Sequence, residues 1–306
     1  MLDGSIYPWA LLGIVVVAAL VADVLLFHRE SHEVTLREAA IETTGWIGLS
    51  LVFAAWIYHS RGQEPGLQFL TAYLVEKSLS ADNILIFLLI FASLGVPAKS
   101  QHRVLFYGVA GALLMRALFI LAGIELLQKF HLVLFLFGAL LLVTAVRMLL
   151  RGSPGMRPER NRFVRFLCHV LPVADHYEGD DFWVNDDGKR KATALLLALL
   201  VIEVMDIVFA VDSVPAVLAI TRDPFIAYSS NAFAVLGLRA LYFTLAGALA
   251  RLRYLHQGLA VILLFVAAKM LAGDRLHVST GISLGVVGGI LLLTVLASIA
   301  PGGRKK

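Results

Sequence analysis

Two stretches of this chain carry the same chemical pattern. Glu76-Lys-Ser-Leu-Ser-Ala-Asp82-Asn83 and Asp206-Ile-Val-Phe-Ala-Val-Asp212-Ser213 each place an acid, five residues, an aspartate and then a small amide or hydroxyl side chain. Glu203 stands one turn before the second stretch and Asp23 lies far upstream; all six acids fall inside long apolar blocks. A carboxylate at the centre of a bilayer costs roughly 2.5–3.5 kcal/mol on insertion scales. Six of them in one chain therefore call for a compensating role. Carboxylate, amide and hydroxyl oxygens suit magnesium, calcium or manganese. The nine histidines and Cys168 fall in loops or at block edges, so nitrogen and thiolate ligands suited to zinc or copper are missing from the middle. Met205, beside Asp206, could add a softer contact favouring manganese, although methionine on an apolar helix more often only packs.

Five bases share the apolar blocks: Lys77, Arg116, Arg147, Arg239 and Lys269. Four of them match when the chain is compared with itself. Arg116-Ala-Leu-Phe-Ile-Leu-Ala-Gly123 parallels Arg239-Ala-Leu-Tyr-Phe-Thr-Leu-Ala-Gly247 with one inserted residue, and Val143-Thr-Ala-Val-Arg147-Met148-Leu149 parallels Phe265-Val-Ala-Ala-Lys269-Met270-Leu271. The plain reading is an ion-pair network that fixes helix packing. Buried ion pairs seldom add net stability over apolar packing, however. The duplicated acids thus point to a cation path or proton relay, with Arg116, Arg239, Arg147 and Lys269 as counter-charges. Glu203 faces Tyr73 in the comparison and breaks the symmetry.

Residues six apart on an ideal helix lie about 120° apart around the axis. Glu76 and Asp82, or Asp206 and Asp212, can face one ion only if a helix breaks or two helices converge. Pro215 supplies a kink, and Ser78, Ser80, Asn83 and Ser213 could satisfy loosened backbone groups. The expectation is that the third and sixth spans are interrupted near these residues.

The elements that must position this chemistry are membrane helices. Apolar residues make up 59% of the 306 and charged residues 16%, with a mean hydropathy of +0.83; soluble domains carry about a quarter charged residues. Apolar blocks fall near 9–27, 45–58, 67–92, 104–125, 132–150, 193–220, 225–248, 254–273 and 278–299, and crossing the hydrocarbon takes roughly 20 helical residues. The second block is short and spans only by borrowing residues 39–44, including Glu42. Accepting it gives nine spans and puts 17 lysines and arginines in the loops of one side against 4 on the other. By the positive-inside rule the N-terminus is then outside and the C-terminus inside. The start, MLDGSIYPW, lacks the basic leading region of a cleaved signal peptide.

The predicted organisation is an all-α polytopic membrane domain. It divides into a two-span segment (1–66), a three-helix repeat (67–150), a cytoplasmic polar linker (151–192) with a short amphipathic helix at 163–171, a second three-helix repeat (193–273), and a last span with a basic tail (274–306). Three spans per repeat is an odd number, so the copies enter from opposite sides. Such inverted-topology repeats are a plan of secondary transporters with midplane sites. Gly285-Val-Val-Gly288-Gly289 reads as close helix packing. No nucleophile–histidine pairing or nucleotide motif appears, which argues against an enzyme, and the basic residues follow topology rather than nucleic-acid binding.

Several motifs resemble a known family. Phe27-His-Arg-Glu-Ser-His-Glu-Val34, the Glu76–Asn83 stretch, Gln101-His-Arg-Val-Leu-Phe-Tyr-Gly108, Phe209-Ala-Val-Asp-Ser-Val-Pro215, Thr221-Arg-Asp-Pro-Phe225 and Ser230-Asn-Ala-Phe-Ala-Val-Leu-Gly-Leu-Arg-Ala-Leu-Tyr-Phe243 look like the TerC family, with its Alx-type members, in the LysE-like transporter superfamily. The resemblance runs from about residue 20 to 275. It implies manganese(II) efflux or supply of metal to exported proteins, a bacterial inner-membrane location, and no permanently bound cofactor. It matches Asp82 and Asp212 to the family's motif aspartates, with Glu76 and Asp206 beside them, and Asp23 to an acid of its first span. Tellurium resistance, which names the family, is a poor guide to cargo here, since an oxyanion needs a cationic site. The alternatives are calcium or another ion as cargo, or a scaffold that binds membrane partner proteins.

Overall fold

The computed structural model describes residues 6–27, 35–130, 132–151, 181–186, 189–246, 254–272 and 278–299. Its helices are α1 (Tyr7–Phe27), α2 (Leu36–Arg61), α3 (Gln63–Ser93), α4 (Ala98–Lys129), α5 (Leu132–Arg151), α6 (Ala194–Leu218), α7 (Pro224–Leu236), α8 (Leu238–Ala246), α9 (Leu255–Ala272) and α10 (Thr280–Ile299). Six are long and apolar enough to cross a membrane by length and composition: α2, α4, α5, α6, α9 and α10; Tyr7–Ala22 is a shorter apolar segment. Leu114, Leu118 and Leu121 point outward from α4, as Leu292, Leu293 and Leu296 do from α10. Such rows suit contact with lipid tails rather than water.

Local signals start the helices. Thr35 and Glu38 form a reciprocal capping box ahead of α2, the pattern a threonine three residues before a glutamate announces. Asp223 accepts hydrogen bonds from the backbone N–H groups of Phe225 (2.8 Å) and Ile226 (3.3 Å), and Pro224 opens α7. Arg61 pairs with Asp223 at 3.0 Å and lies over the Phe225 ring, so the end of α2, just before α3 begins, meets the start of α7.

α7 carries no charged residue and is buried on all sides, as expected of the central helix of a bundle. It packs against α3 and α4, while α4 lies along α6 and α5 along α9. Three contacts fix relative directions. Phe69 edges Phe233 and Lys77 Nζ donates to the Ala234 carbonyl at 3.2 Å, so α3 and α7 run parallel. Gly108 faces Ile202, Gly111 faces Glu203 and Gly123 faces Leu218, so α4 and α6 also run parallel. The turn at 94–97 folds α4 back antiparallel to α3.

Three expectations change. The block 225–248 is two helices, of 13 and 9 residues, divided at Gly237. A Cβ at Gly237 would lie 2.7 Å from Lys77 Nζ and 3.1 Å from Trp46 Cβ. The close approach of α2 and α3 sets the break, and the Lys77 ammonium satisfies a carbonyl that the ended helix leaves open. By contrast, α3 and α6 run without interruption. Pro215 sits in the last turn of α6, where a missing N–H no longer divides the helix. Finally, the linker contains an antiparallel hairpin, β1 (Trp183–Asp186) with β2 (Lys189–Ala192). The register pairs Trp183 with Ala192 and Asp186 with Lys189. The expected helix at 163–171 lies outside the described residues.

Tight glycine contacts make the packing testable. A Cβ at Gly258 on α9 would come within 2.1 Å of Thr294 Oγ1 on α10. Gly258→Ala is expected to destabilise the purified protein by about 1–3 kcal/mol, the usual cost of overpacking. Adding Thr294→Ala should recover most of that loss in a detergent melting assay.

Candidate functional site

The centre of the bundle holds an ion-pair triad. Arg116 of α4 donates to Asp206 of α6 through Nε (3.2 Å) and Nη2 (2.9 Å), and its Nη1 pairs with Glu76 of α3. Glu76, Arg116 and Asp206 are 0%, 1% and 3% exposed. The two acids that the internal comparison matched therefore share one guanidinium. A planar guanidinium presents several donors in a fixed fork, which lets one arginine serve two carboxylates. Convergence is achieved by an arginine from a third helix, not by broken helices.

The other acids lie along the axis on either side. Asp82 and Asp212 are each six residues beyond their triad acid, or about 9 Å of helix rise. α3 and α6 run in opposite directions, so Asp82 falls to one side of the triad and Asp212 to the other. Asp212 accepts a hydrogen bond from Thr144 of α5 at 3.0 Å and is half-buried. Glu203, one turn before Asp206 and also half-buried, lies on the Asp82 side. Its carboxylate rests against Gly111, where a Cβ would sit 2.1 Å from Oε1. Any larger residue at 111 would displace it. The side chains of Asp23 and Asp82 lie outside the described residues.

The supporting residues separate into distinct roles. Arg239, matched to Arg116 by sequence, donates to Glu42 of α2 at 2.8 Å; this pairing compensates the acid inside the short second span. Lys269 donates to Ser283 of α10 at 3.0 Å, and Arg147 is exposed on α5. Of the four expected counter-charges, Arg116 is the one that faces repeat acids among the described side chains. Ser78 donates to the Leu74 carbonyl of its own helix. Asn83 is buried, Met205 is packed in the core beside Asp206, and Ser213 is buried without a hydrogen-bond partner.

Among the described residues no three His, Cys, Asp or Glu side chains form a metal-holding group. At the triad, a cation already stands between the two carboxylates: the guanidinium. With both acids ionised, the guanidinium offsets one of the two carboxylate charges and the triad keeps a single net negative charge. Sequence reasoning did not single out Thr144, Gly111 or Asn231. Thr144 had a signal, as the one hydroxyl residue in the apolar run of α5; Gly111 had none without the partner helix.

The chain is thus a multi-pass helical membrane protein with a buried acid–arginine centre. The family model described as "Integral membrane protein TerC family" matches residues 61–306, and the chain belongs to that family. A membrane protein of Myxococcus xanthus, STKORF319, is 43% identical over 97% of this chain and 93% of its own length. An Escherichia coli (strain K12) protein, Alx, whose name proposes a membrane-bound redox modulator, is 42% identical over 96% of this chain and 94% of its own. A Rickettsia bellii membrane protein is 35% identical over 95% and 96%. No solved structure matches the chain.

Removing one partner of a buried ion pair typically costs about 3–5 kcal/mol, because the other charge stays buried. Arg116→Leu, which strands two carboxylates, is expected to lower the detergent melting temperature sharply. The triple variant Arg116→Leu, Glu76→Gln, Asp206→Asn should recover most of it. A single variant as stable as the wild type would contradict the triad's structural role.

Proposed function

We propose that this chain is a secondary transporter that exports a divalent cation, with manganese(II) the favoured cargo, across a bacterial inner membrane. The observation that carries this reading is the buried Glu76–Arg116–Asp206 triad, with further acids spaced along the axis on both sides. With both acids ionised, Arg116 offsets one of the two carboxylate charges and leaves a single net negative charge, so the empty site is less costly in hydrocarbon than two bare anions and still attracts a cation.

In the proposed cycle a hydrated cation enters from the cytoplasmic side past Asp82 and Glu203. It displaces Arg116 from Glu76 and Asp206 and leaves on the Asp212 side. Protons moving inward onto the vacated carboxylates, or return of the guanidinium, discharge the site. The oxygen-only chemistry favours hard or borderline divalent ions, and the family resemblance, rather than Met205, which packs in the core, makes manganese the preferred candidate over calcium. The redox role in the name of the Alx relatives fits through the ion. With Cys168 as the single cysteine, the chain has no intrachain dithiol with which to act on redox state directly.

The test is cell-associated manganese, measured by mass spectrometry in an efflux-deficient bacterial strain under manganese load. Wild type should lower it, while Asp82→Asn and Asp212→Asn, inserted at equal levels, should match the empty vector. Unchanged manganese with the wild type would remove the export reading. Loss of a membrane complex in the variants, with no change in metal, would favour a scaffold.

A further inference from the structure

Three consecutive polar residues lie within the buried helix α7. Ser229 donates to the Ile226 carbonyl at 3.3 Å and Ser230 to the Ala227 carbonyl at 3.1 Å, so the first two satisfy themselves on their own backbone. Asn231 does not. It is fully buried, and both its Oδ1 and its Nδ2 lack a hydrogen-bond partner. An amide shut away from water with neither end paired is an exception that needs a reason, and an absent ion or water is one of the few physical ones.

Its height in the bundle indicates which. α3 and α7 run parallel, and the contacts Phe69–Phe233 and Lys77–Ala234 bracket the turn of α3 that carries Tyr73 and Glu76. Asn231 lies just before Phe233 and Ala234, within roughly a turn or two of Glu76 along the axis. α4 is antiparallel to this pair: Gln101 near its start accepts from Tyr242 of α8 at 2.7 Å. Arg116 of α4 pairs with Glu76 of α3, which puts the guanidinium at the level of that turn. α7 packs directly on both α3 and α4. The unpaired amide therefore sits near the level of the triad, on a helix packed against two of the three helices that build it.

We infer that the Asn231 amide is an uncharged oxygen ligand for the divalent cation, or for a water on it, at the level of Glu76 and Asp206. This rests on the cation-transport reading above. An amide carbonyl is an ordinary ligand for hard divalent ions. It adds coordination without adding a further buried charge, and its Nδ2 could donate to a triad carboxylate once Arg116 has left. In the empty state Arg116 occupies both acids, which leaves the amide unused.

The experiment is a melting assay on the purified full-length protein in detergent, titrated with manganese(II) chloride. Variants are Asn231→Leu, close in volume but without the amide, and Asn231→Asp, which keeps an oxygen at the same place. Wild type and Asn231→Asp should melt progressively higher as manganese is added. Asn231→Leu should melt at or above wild type without metal, because an unpaired buried amide has been replaced by an apolar group. It should need roughly tenfold more manganese for the same rise, the loss expected for one good ligand contact. A purely structural asparagine gives the reverse order: aspartate worst, leucine unchanged in its response.

If Asn231→Leu responds at wild-type concentrations while the wild type binds, the ligand role falls and the transport reading stands. If the wild type shows no metal-dependent rise, both fall together. Asn231→Ala gives the same readout should the leucine side chain not be accommodated.

Discussion

One guanidinium held between two carboxylates in the buried interior is the constraint on which the rest of this structure depends. Arg116 ties α3, α4 and α6 together, and the three charges are 0–3% exposed. Gly111 and Gly108 let α4 and α6 approach closely enough for the pairing. α7, without charge and buried all round, packs against α3 and α4. Around this centre the remaining buried charges are settled one by one: Glu42 by Arg239, Lys77 by the carbonyl end of α7, and Lys269 by Ser283.

Such a centre is a weak way to gain stability, since apolar side chains of similar volume often do as well. Its value in the proposed function is that it is exchangeable. A site made only of acids would be prohibitively charged when empty, and a site made only of apolar residues would hold no ion. The internal arginine halves the charge of the two empty carboxylates, and a divalent ion in its place would cancel it. Asp82 and Asp212, offset in opposite directions along antiparallel helices, then stand as stations on the two approaches.

Much of this was legible in the chain. The apolar blocks locate the helices, Thr35 and Glu38 announce the start of α2, and the acid spacing singles out Glu76 and Asp206 together. Long-range geometry was not legible. The expectation of broken helices at the acids rested on the 120° offset within one helix, whereas convergence comes from Arg116 on a neighbour. The break that does occur, at Gly237, lies in an apolar run without proline. It is imposed by Trp46 and Lys77 from distant segments. Asn231 was hidden for a similar reason: a buried asparagine differs from its serine neighbours only once their partners are known.

The central claim is that Glu76 and Asp206 hold a divalent cation in competition with Arg116. Electron paramagnetic resonance of manganese(II) tests it most directly, because the multi-line spectrum of the free aqueous ion broadens away on binding. With purified protein in excess, the account predicts that the wild type removes the free-ion signal and that Glu76→Gln and Asp206→Asn, folded and inserted, leave most of it in place. A wild-type protein that leaves the free-ion signal unchanged would contradict it.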